Sequence, residues 1–249
     1  MDSHRPAETL TLPPRGWRIT PRHALLAAAV CWLGFALVAG LVLSDRLGGF
    51  DSAGLRYFRT GTDHHAGASP AMLEAVRDWT ALGGVLLRNL FAAIAIAALL
   101  LVRLRREATL LAATILSGWV VNTLIKVAVG RPRPTIVSHL AEAGGSSFPS
   151  GHSFNSAVVY MGIALAVAAF SPRRAVRWTL IAGAGVVTAL IAVSRVWLGV
   201  HYPSDALAGW LGGTAWAFTA SAALYQPTRH LADQAAPLLE AATPGEAAL

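Results

Sequence analysis

Charge is scarce in this chain. Of 249 residues, 13% are charged and 55% are hydrophobic. An ordinary soluble domain carries about 25% charge. With a mean hydropathy of +0.53, that shortfall excludes a typical soluble globule. Cysteine is nearly absent: Cys31 stands alone inside an apolar run, so no internal disulfide is available and cysteine gives no clue to compartment. Lysine is rarer than it looks, because 19 of the 20 basic residues are arginine and only Lys126 is lysine. A coding bias toward arginine explains the ratio and singles out the one lysine that survives. Acids are missing from the chain's centre: between Glu107 and Asp233 only Glu142 and Asp205 occur. Strand patterning and internal repeats are lacking too. The length suits one domain of several spans, with little left for a second soluble domain.

What is present is a set of long uncharged runs. Ala24–Ser44 runs 21 residues without charge, enough to cross a hydrocarbon core of about 30 Å at about 1.5 Å per residue. It exceeds the apolar region of a signal peptide, typically about 7–15 residues, so it reads as a retained span. Further runs predict spans at about 81–102, 108–128, 153–170, 178–198 and 206–226. The expected fold is therefore all-α: a six-transmembrane helical bundle, with residues 23–226 as the membrane domain. Residues 1–22 read as a basic cytoplasmic tail and 227–249 as a polar, disordered one. Between spans one and two, Ser69 and Pro70 open a segment of helical apolar spacing, predicting an amphipathic helix in the membrane interface. Arg88 falls near the outer end of the second span, where it either snorkels or faces the bundle.

The formal net charge is +7. Such a balance suits nucleic acid, or arginine-bearing cytoplasmic loops beside anionic lipid. The arginines cluster between apolar runs, which favours the membrane reading and no nucleic acid. Arg103, Arg105 and Arg106, then Arg173, Arg174 and Arg177, with the basic N-terminus, mark the cytoplasmic side. Segments 45–80, 130–152 and 195–205 then face outward, yet the latter two also carry Arg131, Arg133 and Arg195.

Three polar stretches fall in those outer segments: Lys126 to Pro134, Ser146 to Ser153, and Ser194 to Asp205. Lys126, Arg131, Arg133 and Arg195 lie at one membrane depth, and two nearby acids cannot neutralise four cations. An uncompensated cationic cluster wants a polyanion, and phosphate fits the arginine fork. Ser150-Gly151-His152 precedes an apolar helix, whose first N–H groups form an anion site. His152 and His201 transfer protons near neutral pH. If Pro203 opens the last helix, Asp205 reaches one imidazole nitrogen of His201, fixing its tautomer and leaving the other as nucleophile.

These stretches resemble the signature of the type-2 phosphatidic acid phosphatase superfamily. Lys126, six residues, then Arg133-Pro134 match its first motif. Pro149-Ser150-Gly151-His152 match the second. Ser194-Arg195, His201 and Asp205 match the third. The resemblance covers about residues 126–205. It implies that His201 attacks phosphorus, that Asp205 orients it, and that His152 protonates the leaving group and then activates water. It implies that Lys126, Arg133, Ser150, Gly151 and Arg195 hold the phosphoryl oxygens, with no metal or other cofactor. The expected activity is hydrolysis of a lipid phosphate at the outer face of an inner membrane, both termini being cytoplasmic. Candidates are undecaprenyl diphosphate, which we favour, phosphatidylglycerol phosphate, phosphatidic acid and a prenyl-linked sugar phosphate.

Two other classes compete. A vanadate-dependent haloperoxidase shares a similar constellation, but its chain is soluble and larger. A transporter predicts ionisable relays within spans, whereas the polar residues here gather at one face. Asp63, His64 and His65 invite a metal, but adjacent loop histidines are ordinarily solvated. Trp119, Trp197 and Trp210 read as packing or belt residues, and the paired glycines as sites of close helix packing.

Overall fold

The structure, a computed structural model, describes residues 21–59, 69–168, 171 and 173–241, with side chains from 22 to 223. The basic tail at 1–20 and the Asp63-His64-His65 cluster lie outside the described residues. Among the described residues there are eight helices and no strand. They are α1 (Pro21–Leu43), α2 (Gly48–Tyr57), α3 (Pro70–Ala81), α4 (Val85–Leu101), α5 (Arg105–Val129), α6 (Gly151–Ala168), α7 (Arg174–Trp197) and α8 (Pro203–Ala241).

Four of these, α1, α5, α6 and α7, are long and apolar enough to cross a membrane. A fifth is reached if α3 and α4, which meet at 43°, count as one bent span. The fold is thus an all-helical integral membrane bundle. The sequence reading did not foresee α2, which lies in the mixed segment after the first span. It did place α3: Ser69 caps it, its hydroxyl accepting from the Met72 N–H at 3.3 Å, with Pro70 in the first turn. Helix α8 runs on to Ala241, beyond residue 226, where the expected sixth span ends.

The innermost helix is α6, of whose apolar window 72% is buried against 11% for α1. Its Ser153, Ser156, Ala157 and Gly162 are small, so neighbours approach closely. The closest approach is at Gly213 on α8, where an added Cβ would stand 2.1 Å from the Phe154 carbonyl oxygen. Helix α8 fills the groove between α6 and α1. On the lipid side α1 exposes Leu26, Val30, Leu33 and Leu37, an apolar face that needs hydrocarbon around it.

Helix ends position the site. Gly130 terminates α5 in the left-handed region (φ 61°), its N–H returning to the Lys126 carbonyl at 3.0 Å. The chain then crosses the bundle end as the 131–150 loop and re-enters as α6. Gly199, also left-handed (φ 75°), turns the chain between α7 and α8. The C-termini of α5 and α7 and the N-termini of α6 and α8 therefore meet at one end. The loops are stitched there by Ser147 N–H to Arg131 O (2.8 Å), Leu140 N–H to Leu198 O (2.9 Å) and Ser150 N–H to Asp205 O (3.0 Å).

Candidate active site

At that end lies a cavity of about 300 Å³, lined by Lys126, Arg133, Gly151, His152, Arg195 and His201, with Glu142 and the 143–146 backbone at its rim. Six of the eight residues expected from sequence thus share one cavity. They arrive from four helix ends and one loop: Lys126 from the last turn of α5, Arg133 from the 131–150 loop, Gly151 and His152 from the first turn of α6, Arg195 from the last turn of α7, and His201 from the turn before α8. The remaining two stand behind it. Ser150 is fully buried and accepts from the Ser153 N–H at 3.4 Å. Asp205 is fully buried beneath His201.

The three cavity cations have no carboxylate within ion-pair distance among the described residues. Lys126 Nζ donates to the Ser146 carbonyl (2.7 Å). Arg195 Nη1 donates to Thr80 Oγ1 (3.1 Å), and its buried Nε has no partner. Arg133 is held by three carbonyls, those of Gly144 (2.7 Å), Gly145 (3.1 Å) and Val200 (2.8 Å). Neutral partners, carbonyls for Lys126 and Arg133 and a hydroxyl for Arg195, fix these cations without cancelling their charge, so the cavity stays positive.

Arg133 also settles the tautomer of His201. Its Nη1 lies 3.2 Å from His201 Nε2. A guanidinium has donors only, so Nε2 accepts and the proton sits on Nδ1. The sequence predicts a direct Asp205–His201 bond, and here the structure differs. His201 Nδ1 is 3.6 Å from Asp205 Oδ2, outside hydrogen-bonding range. Ser147 bridges them: its hydroxyl donates to Asp205 Oδ2, and its oxygen stands 3.3 Å from Nδ1. The relay runs from Nδ1–H to the serine hydroxyl to the carboxylate. Burial pushes the His201 imidazole down to about 4, against the opposing pull of Asp205, so Nε2 holds a lone pair at neutral pH.

The charge count from sequence needs one correction. Arg131 is not part of the uncompensated cluster. Its Nη2 pairs with Asp51 Oδ2 (2.7 Å) and its Nη1 with Asp205 Oδ1 (2.6 Å), while its guanidinium stacks on Tyr202 at 4.1 Å. The second acid comes from α2, 80 residues upstream, and lies outside the window in which acids were counted. Asp51 also accepts from the Ser204 N–H (2.9 Å) and hydroxyl (2.7 Å), satisfying orphan groups in the first turn of α8. Asp205 accepts from the Tyr202 N–H at 3.0 Å as well. Asp51, Ser147 and Thr80 carry no short-range motif; Asp51 is one acid among several in the mixed, charge-bearing segment 45–80.

Chemically, this arrangement offers a lone-pair nitrogen, a second imidazole, three uncompensated cations and the N-terminus of α6 around one small space. Helix N-termini and arginine forks both favour a tetrahedral oxyanion.

The chain is similar in part to known proteins. Phosphatidylglycerophosphatase B of Bacillus subtilis (strain 168) is 38% identical over 89 residues, 35% of this chain and 43% of that protein. Undecaprenyl-diphosphatase BcrC of the same organism is 32% identical over 99 residues, 37% of this chain and 45% of that protein. The chain's match thus spans less than half the length of either relative. The crystal structure of a transmembrane PAP2 type phosphatidylglycerolphosphate phosphatase from Bacillus subtilis shares the fold, with a TM-score of 0.69 at 24% identity over 83% of this chain and 96% of that one. Residues 106–229 match the family model of the PAP2 superfamily, a segment that contains every cavity residue from Lys126 to His201 and Asp205 behind them, and the chain belongs to that superfamily.

Proposed function

We propose that this protein hydrolyses a lipid phosphate through a phosphohistidine intermediate. One observation carries the reading: three uncompensated cations and two histidines share a single cavity at one end of a membrane bundle. His201 Nε2 attacks phosphorus once the substrate's phosphoryl oxygens draw Arg133 away from it. The P–O bond to the leaving group breaks, and His152 gives its proton to the departing oxygen. His152 then takes a proton from water, the water oxygen attacks phosphorus, and the P–N bond breaks to release phosphate and neutral His201. Lys126, Arg133, Arg195 and the Gly151 N–H stabilise charge on the equatorial oxygens. Ser150 acts from behind, as a brace for the first turn of α6.

The full-length fold is read as six spans, with α8 the sixth and α3 lying in the interface. Arg103, Arg105 and Arg106 and the 173–177 arginines cluster at the bundle end opposite the cavity, so the site faces outward and the termini are cytoplasmic. The two relatives act, by name, on phosphatidylglycerol phosphate and undecaprenyl diphosphate; a lipid phosphate of this kind is the substrate class, and undecaprenyl diphosphate the specific choice.

The test is phosphate release by detergent-purified protein from a lipid panel with EDTA present, beside His201→Ala. Activity is expected to persist in EDTA and vanish in the variant, and rapid quenching in alkali should trap a phosphohistidine absent from His201→Ala. Hydrolysis by His201→Ala at the wild-type rate would remove the assigned nucleophile. A reporter fused after Gln226 that reads extracytoplasmic would reverse the orientation.

A further inference from the structure

Arg88 is a buried cation that the reaction above leaves idle. It lies in the first turn of α4, is 6% exposed, and its Nη1 donates to the Gly83 carbonyl at 3.2 Å. Among the described residues no carboxylate stands within ion-pair distance of it. A guanidinium removed from water without a counter-ion is costly, and an ionisable group at membrane depth marks a functional site.

Its position says what it faces. Gly83, whose carbonyl holds Arg88, touches the general acid: a Cβ on Gly83 would stand 3.4 Å from His152 Cδ2. Asn155, one turn into α6 beyond Gly151, is 9% exposed, and its side-chain amide carries an NH2 group able to donate to an anion. Its amide nitrogen lies 4.0 Å from where a Gly151 Cβ would sit. Arg88 and Asn155 together line a second cavity of about 360 Å³ between α4, α5 and α6, most of whose other lining is apolar, Ala92, Ile96, Ile115 and Leu116 included.

A substrate that reached from the phosphate cavity into this second one would meet these groups in a definite order. The transferred phosphoryl group sits among Lys126, Arg133 and Arg195. The bridging oxygen sits at His152, which protonates it. An anion then meets Arg88, and hydrocarbon follows. A lipid phosphate whose leaving group is a neutral glycerol or alcohol has nothing to offer Arg88. A lipid with a second phosphate does. We propose that Arg88, with Asn155, forms a second anion subsite that binds the phosphate retained on the leaving group, making the protein selective for lipids with two phosphates over lipid monophosphates. This rests on the phosphatase reading. When the bond to the terminal phosphorus breaks, its electron pair stays on the leaving oxygen, His152 supplies the proton, and Arg88 steadies the retained phosphate.

Four substrates in detergent test it: farnesyl diphosphate against farnesyl phosphate, and phosphatidylglycerol phosphate against phosphatidic acid. A charge-assisted hydrogen bond lost with Arg88→Met should cut kcat/KM by about 30-fold on a two-phosphate lipid and by less than about 3-fold on its monophosphate partner. Loss on farnesyl diphosphate places the second phosphate directly at the bridging oxygen. Loss on phosphatidylglycerol phosphate places it across the glycerol. Either supports the subsite, and equal loss on all four substrates overturns it. Should Arg88→Met fail to fold, wild-type inhibition decides: a farnesyl methylenebisphosphonate should bind about tenfold more tightly than farnesyl phosphonate, and equal inhibition overturns the proposal. Wild-type protein inactive on all four substrates would instead sink the phosphatase reading itself.

Discussion

Replacing Arg131 by Met removes a cation that two fully buried carboxylates share. Asp51 and Asp205 are each 0% exposed and lie 2.7 and 2.6 Å from the guanidinium, itself 18% exposed. Removing one partner of a buried pair costs about 3–5 kcal/mol, because the remaining charge is left in a poor solvent. Two carboxylates are orphaned here, but each keeps other donors. Asp51 retains both groups of Ser204, and Asp205 retains Ser147 and the Tyr202 N–H. The loss should therefore stay near the single-pair figure rather than double it. For a chain of this length that corresponds to a fall in Tm of roughly 6–20 °C. Thermal unfolding in detergent measures it. Adding Asp51→Asn to Arg131→Met removes one orphaned charge and should restore about 1–2 kcal/mol, a coupling readable from the double-mutant cycle. An Arg131→Met protein within about 1 kcal/mol of wild type would refute the reasoning, since the pair would then be behaving as a solvated surface bridge.

Ser147→Ala breaks the relay between His201 and Asp205; losing a hydrogen bond to a charged group, about 1.5–3 kcal/mol, should lower kcat by roughly 10- to 100-fold with little change in KM. Because burial holds His201 neutral down to about pH 4, the acid limb of kcat/KM, corrected for substrate ionisation, should fall near 4 instead of the ordinary 6.5 or so. The same depression makes His201 a stabilising group above about pH 6.5 whose contribution is lost as pH falls toward 4, since the unfolded chain binds the proton first. An acid limb at an ordinary histidine value would contradict the burial argument. Gly213→Ala drives a methyl group into the Phe154 carbonyl and should destabilise the α6–α8 contact by about 1–3 kcal/mol, seen as a lower Tm without a change in the pH profile; an unchanged Tm would mean that the two helices part freely.

Much of the bundle was legible because hydropathy is a local property. An apolar run such as Ala24–Ser44 must be satisfied by helix wherever it lies in lipid. Strict alternation of spans then sends Lys126, His152, Arg195 and His201 to the same end. Helix α2 was not legible, since Gly48–Tyr57 is short and mixed and is held by packing, with Leu55 fully buried against neighbours. Nor was the length of α8, whose polar continuation past 226 carries no apolar signature.

The all-helical class, the shared bundle end and the chemical inventory of the cavity were already written in the chain, because each follows from composition, spacing and helix direction. Tertiary structure decided the pairing. It set Asp51 against Arg131 across 80 residues, placed Ser147 between His201 and Asp205, drew Ser150 behind the cavity, and left Arg88 buried against the Gly83 carbonyl with no carboxylate in ion-pair reach among the described residues. Ion pairs and hydrogen bonds depend on separation in space, and separation along the chain says nothing about it once helices of more than twenty residues carry the backbone from one end of the bundle to the other.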